Sequence, residues 1–509
     1  MKDAKVHFLL CIIALLFTPR VLYEYVSNLH PSNISQQAAF LQKRQDDSNE
    51  NATSGNGNTT YISDTLQLAD TGVTLNVSTI NPDNQNYLKT SGFKVLDFIQ
   101  ACYTPTNISV CGVNSPVVYL IDGHVGTPPQ QFQSTIDINT YETFYSTCNT
   151  LTDCPVSKSQ NLYACMYNSY DPNISFSFNY DNSSYVSNFV SSGSTTNIQG
   201  CWGWDNVTLG INGSQYENTV MDYFEFPTIN ANGGNIYFES ILGLGLEPLI
   251  SRNNFISDKQ RAQYYNQYTT NYSNSLLDTL KTYGAINSKV YSMYVNEDGT
   301  GKLILGAVDK AKIGNGGKLT YFENLQYKYF DSSVVKMDTK SKFHLYRPFI
   351  NIDYISTDGL NNYKAKQKQN IVYDAIIEST TRTIYGPKAY VASVAKNYGL
   401  TNYNNQYFMN CTTTGKPLEI VFSQGLNISI PWEDLKFKNL DPSTNKKQNR
   451  DCVFALNYKK NQDYFVLGQT FLNNVYFYSD IENNRYGIAP VNRVSDTVFE
   501  IQTVASSSA

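Results

Sequence analysis

Two acidic residues stand in repeated settings in this 509-residue chain. Asp137 is followed much later by Ile241-Leu242-Gly243, and Glu378 by Val466-Leu467-Gly468. Carboxylates are a residue type suited to general acid–base work, and the recurrence points to duplicated lobes. Other chemistries find little footing. The four histidines, His7, His30, His124 and His344, are isolated, whereas metal ligation needs clustering. No Gly-x-Ser-x-Gly elbow is present. Neither a metal nor a cofactor is expected.

The elements that must position these carboxylates read as short strands. Aromatics make up 14% of the chain, with 40 Tyr, a composition that suits half-buried sheet positions. Residues 117–121, 131–136, 175–178 and 206–209 fit strands bounded by turn residues. Residues 388–398, between Pro387 and Gly399, predict a helix, and 275–283 a weaker one. The expectation is an all-β protein.

The ends of the chain speak of its compartment. Lys2 and Lys5 precede an apolar run over 8–17 that is too short to span a bilayer, so 1–20 reads as a secretory signal peptide. Setting aside Cys11 leaves eight of nine cysteines, an even number suited to four disulfides in an oxidising compartment. Residues 21–44 form a short propeptide-like segment ending in Lys43-Arg44, a dibasic processing site. Residues 45–100 read as a polar, flexible extension, and 498–509 as a tail. Twelve Asn-x-Ser/Thr sequons, including Asn182 and Asn427, become glycosylation sites once secretion is granted. The formal net charge of −5, with 16% charged residues, offers no basic face to nucleic acid. No membrane anchor is expected.

Within this frame, Gly126-Thr127-Pro128-Pro129-Gln130-Gln131-Phe132, with Asp137 after it, resembles the N-lobe opening of the pepsin family of aspartic peptidases. Asp205-Asn206-Val207-Thr208-Leu209-Gly210 is similar to the strand after that family's flap, and Ile241 to Gly245 to the strand beneath the catalytic loop. Tyr291-Ser292-Met293-Tyr294-Val295, Leu303-Ile304-Leu305-Gly306 and Val466-Leu467-Gly468 extend the likeness into a second lobe. The Lys-Arg pair and the segment before Tyr291 are most similar to the fungal yapsins and barrier-type secreted proteases.

The resemblance implies a bilobal pepsin-like fold, with an N-lobe over 101–307 and a C-lobe over 308–497, and a long cleft binding a peptide or protein segment in extended form. Each lobe would supply one Asp from an Asp-Thr/Ser-Gly turn. The two carboxylates then share a proton and a water, one serving as base while the other polarises the scissile carbonyl. The hydroxyl beside each Asp cross-braces the loops. The resemblance also implies disulfides Cys148–Cys154 and Cys411–Cys452. Short local closures give Cys102–Cys111 and Cys165–Cys201 for the rest.

This sequence departs from that pattern at both loops. Ile138 and Asn139 follow Asp137 where the family has Thr/Ser and Gly. Glu378-Ser379-Thr380-Thr381 occupies the second turn, a register supported by Tyr385 and Pro387, with Asp374 as the alternative carboxylate. Tyr180 matches the flap tyrosine, with Asp181-Asn182-Ser183-Ser184 as its tip. A Glu moves its carboxylate by about an ångström, a displacement that can cost on the order of a hundredfold in rate. Thr380 and Asn139 are expected to crowd a loop built for glycine. The expectation is a secreted, extracellular or cell-wall monomer that is catalytically impaired and retains a peptide-binding cleft. The alternatives are an active acid endopeptidase, or a surface interaction protein working through its extension.

Overall fold

The computed structural model describes residues 65–67, 74–77, 92–102, 117–141, 143–146, 170–191, 194–210, 219–230, 240–245, 275–324, 349–356, 373–403, 406–438, 451–459, 462, 464–494 and 500–504. These residues form the mostly β fold of the bilobal acid proteases. Val117–Val125 and Gln130–Asp137 pair antiparallel. Phe349–Ser356 and Tyr373–Ile377 do the same in the second lobe. Leu96, Phe98, Tyr119, Ile121, Phe132 and Ile136 are buried in one continuous core with Ile350, Ile352, Ala375 and Ile377. Alternating apolar residues thus hold both strands that end in an acidic loop.

A thirteen-stranded sheet runs through the lobe boundary placed at 307/308. At its centre Lys94–Cys102 bridges Thr300–Leu305 on one side and Val117–Val125 on the other. The segment read as a flexible extension therefore ends in a core strand, with Phe93, Val95, Leu96 and Phe98 buried. Lys302 pairs with Asp97 across it. Nine ordered residues were hidden because the polar composition of the stretch before them dominates any average over 45–100. Thr65–Gln67 and Thr74–Val77 are also strands within that stretch.

The expected tail contributes a strand as well. Ile501–Thr503 pairs with Ala307–Asp309 and with Asn76 and Val77, burying Ile501 and Val504. Asp309 anchors it by accepting from the Glu500 N–H at 3.0 Å.

Both expected helices form. Lys388–Asn397 buries Tyr390, Val391, Val394 and Ala395 on one face. It closes at Gly399, whose φ of +67° suits the left-handed residue that ends a helix. Leu276–Thr282 begins at Ser275, whose hydroxyl accepts from the Asp278 N–H, a cap that satisfies an orphan donor.

That second helix is tied down by Glu482. Its carboxylate accepts from Lys281, from the Lys289 N–H at 3.2 Å and from Ser288 Oγ at 3.2 Å. Burial opposes its ionisation, but these donors outweigh it and hold the carboxyl below its ordinary value. A depressed folded pKa gives stability that is present above the unfolded value and lost as pH falls through the folded one. Glu482→Gln is therefore expected to flatten the acid limb below about pH 4.5. Urea midpoints at pH 6 and pH 3 check this, and the wild type should fall further.

Residues 175–178 are a turn, and the strand starts at Asn179. The Ser-Phe alternation is real, but it serves a buried carboxylate. Ser175 and Ser177 donate to Asp205 at 2.7 and 2.5 Å, while Phe176 faces solvent. Tyr170 Oη and the Asn206 N–H complete the set at 2.5 and 2.7 Å. Burial, followed by the Asp205 hydrogen bond and charge, raises the Tyr170 pKa. Asp205→Ala removes the acceptor of the buried Tyr170 hydroxyl, while Ser175 and Ser177 keep each other and Thr127 as partners, and should cost about 2 kcal/mol in denaturant unfolding.

Cys411 and Cys452 form the expected disulfide, with Cα atoms 5.0 Å apart. Cys111, Cys148, Cys154 and Cys165, and the side chains of Cys102 and Cys201, lie outside the described residues.

Candidate active site

Each acidic loop grows out of a strand supported by a parallel neighbour. Asp137 ends Gln130–Asp137, which runs parallel to Ser240–Gly243 with Asp137 opposite Gly243. Glu378 follows Tyr373–Ile377, which runs parallel to Phe465–Leu467. Leu244 N–H donates to the Asp137 carbonyl at 2.9 Å, and Glu378 N–H donates to the Leu467 carbonyl at 3.0 Å. Both carboxylates are buried, at 1% and 2% exposure. Asp374 sits inside its strand opposite Asn351, so the second loop carries Glu378.

The loops are laced together by Ser379. Its Oγ accepts from the Ile138 N–H at 3.1 Å and donates to the Ile136 carbonyl at 2.9 Å. One hydroxyl from the second loop thus grips the backbone on both sides of Asp137. Ile138 stands at the equivalent place in the first loop and has no hydroxyl to return the grip; its side chain is buried in the core.

Gln469 adds a second link, which sequence reasoning missed. Its Nε2 donates to the Ser379 carbonyl at 2.6 Å and to the Val117 carbonyl at 2.7 Å. Its Oε1 accepts from Gln100 Nε2 at 3.1 Å. Its place directly after Val466-Leu467-Gly468 was the available signal.

The two carboxylates are held differently. Asp137 accepts from the Asn139 N–H at 2.8 Å on one oxygen and from Thr140 Oγ1 at 2.7 Å on the other. Thr140 is a second missed residue, three positions beyond the acid. Its counterpart in the second loop is Thr381, whose hydroxyl is buried without a hydrogen-bond partner. Glu378 instead receives Thr380 Oγ1 at 3.2 Å. Both carboxylates thus meet the second following residue, and only Asp137 is bonded to the hydroxyl of the third. The charges reach their neighbours: burial chiefly raises the pKa of Tyr291 and of Tyr385, with added contributions from Asp137 and Glu378 respectively.

The backbone strain that would call for glycine is absent at Asn139 and Thr380. Neither adopts a positive φ, and any residue can hold such backbone. The close approaches fall on the supporting side. A Cβ on Gly245 would come within 2.7 Å of the Asn139 carbonyl, and one on Gly468 within 2.2 Å of the Thr381 carbonyl. Those glycines are present.

The flap reading needs correction. Asn179–Ser191 and Ser194–Leu209 form one long hairpin, with Ser191 opposite Ser194. Tyr180 lies opposite Gly203 near the base, and 181–184 falls at a register shift between Tyr180 and Ser184. Such a bulge bends a strand without ending it. Phe189 and Val190 lie near the far end, opposite Thr196 and Thr195.

Two acidic loops on parallel, glycine-backed strands, laced by a hydroxyl, agree with what the chain resembles. The family of eukaryotic aspartyl proteases matches residues 118–491. The chain belongs to that family. It is 26% identical to the acid protease of Saccharomycopsis fibuligera over 376 residues, covering 73% of this chain and 80% of the other. It is 24% identical to barrierpepsin of Saccharomyces cerevisiae over 320 residues, 61% of this chain and 48% of that protein. Identity to yapsin-3 of the same yeast is 23% over 392 residues, 74% and 66% of the two chains. The chain thus spans about half of barrierpepsin. Proteases of this pepsin-like family bind peptides in extended form. Among the described residues no helix is long and apolar enough to cross a membrane, and no grouping of His, Cys, Asp or Glu could hold a metal ion.

Proposed function

We propose that this aspartyl protease homologue is a secreted glycoprotein with impaired catalysis, whose site between the acidic loops binds a peptide segment. The carrying observation is the asymmetry of the loops. Asp137 keeps two donors of its own, whereas Glu378 has left the Thr381 hydroxyl orphaned, and the brace runs only from Ser379. Acid–base exchange across a dyad needs both carboxylates placed to share a water, and a misplacement of about an ångström costs on the order of a hundredfold. The disulfide fits an oxidising compartment. In this reading the hairpin of Asn179–Ser191 and Ser194–Leu209 covers the bound segment, and the protein acts as a monomer.

A second reading, a slow acid endopeptidase, draws support from the burial of both carboxylates on intact supporting strands. Calorimetric titration with a statine-containing peptide tests the binding site itself. Binding in the wild type that weakens in Asp137→Asn is expected. Absence of binding in a folded preparation would refute the peptide-binding reading.

A further inference from the structure

Arg382 follows Thr381 in the second acidic loop, four residues beyond Glu378. Its carbonyl is fixed by the Thr470 N–H at 3.0 Å and Thr470 Oγ1 at 2.9 Å. Its guanidinium lies over the Phe437 ring, 3.7 Å from the ring centre. Phe437 belongs to Lys436–Lys438, the margin of a four-stranded sheet. Stacking on an aromatic face holds the planar fork in one orientation.

What sets Arg382 apart is the lack of an anion. Among the described residues Lys302 pairs with Asp97, Arg485 with Asp480 and Lys436 with Glu433. Arg382 makes no such pair, and its Nη1 is buried without a hydrogen-bond partner. Burial lowers its pKa to about 10, which still leaves it charged at neutral and acid pH. A half-buried, unpaired cation is costly to the free protein. Such a group is accounted for when a ligand supplies the missing charge, and a guanidinium fork matches a carboxylate through two parallel hydrogen bonds.

We infer that Arg382 is a specificity position for a carboxylate carried by the peptide bound beside Glu378, so that acidic peptides are the preferred class. This rests on the peptide-binding reading above and adds the chemistry of the ligand. Two sources share that chemistry, an acidic side chain and a free C-terminus. The preference should fade below about pH 4, where such carboxylates protonate.

The test uses the full folded protein and a set of extended peptides with amidated C-termini, in which one Glu is walked along the sequence and compared with Gln. The same peptides with free C-termini form a second arm. At pH 6 one Glu position is expected to bind about tenfold tighter than its Gln counterpart in the wild type. Arg382→Met should abolish that preference, and Arg382→Lys, which keeps the charge and loses the fork, should reduce it. A preference confined to the free C-termini assigns the carboxylate to the chain end. A Glu preference unchanged in Arg382→Met overturns the inference. If no peptide binds the wild type, the peptide-binding reading fails, and Arg382 is then judged with glutarate as the probe. A thermal shift in the wild type that is absent in Arg382→Met supports a carboxylate site, and equal shifts overturn it.

Discussion

The double variant Ile138→Thr/Glu378→Asp is expected to cleave unfolded protein at acid pH about a hundredfold faster than the wild type, with each single change near background. The two substitutions address the two asymmetries of the site. A hydroxyl at 138 can return the grip that Ser379 now provides alone. A carboxylate one methylene shorter at 378 retreats towards Thr381, whose buried hydroxyl has no partner. Asn139 and Thr380 need no change, because their backbone is ordinary and the close approaches fall on Gly245 and Gly468. A stability measurement follows the same partner exchange without reference to activity. Thr381→Val should be neutral or stabilising in the wild type, since it removes an unsatisfied buried hydroxyl. In Glu378→Asp the same change should cost about 1 kcal/mol or more. Urea unfolding of the four proteins decides it; equal effects of Thr381→Val in both backgrounds would mean the carboxylate does not change partners.

Ser379→Ala should be among the most damaging single substitutions in the protein. It leaves the Ile138 N–H and the Ile136 carbonyl without the hydroxyl that serves both, in a site with no exposure. Each buried, unsatisfied group costs about 1–3 kcal/mol, so a loss of about 4 kcal/mol is expected in chemical unfolding. Ser379→Thr keeps the hydroxyl and should recover most of it. The damage should extend to ligand binding, because Ser379 fixes the backbone on both sides of Asp137. A stable Ser379→Ala variant with undiminished affinity for a statine-containing peptide would show that the grip does not position the first carboxylate.

The paired architecture was legible because each acidic loop sits on a strand whose apolar residues and glycine recur in both halves. Gly243 lies opposite Asp137, and Glu378 follows a strand that runs parallel to Phe465–Leu467. Side-chain partners were less legible. Thr140 and Thr381 are both threonines at the same offset, yet only one is bonded to its carboxylate, a difference that offset alone does not reveal. Asp205 looked like an ordinary strand residue until its three hydroxyl donors came together from Tyr170 and the 175–178 turn. The hairpin was misread because a bulge after Tyr180 imitates a turn in sequence, while the pairing runs on to Ser191 opposite Ser194. Lys94–Cys102 was lost to averaging, since one core strand does not alter the composition of a long polar stretch.

Cleavage of an unfolded protein such as casein at acid pH, by purified wild type against Asp137→Asn, tests the central claim most directly. Impaired catalysis predicts that the two proteins are indistinguishable and close to the rate without enzyme. Robust cleavage by the wild type, abolished in Asp137→Asn, would contradict it and make Glu378 a competent second carboxylate, held in place by Thr380.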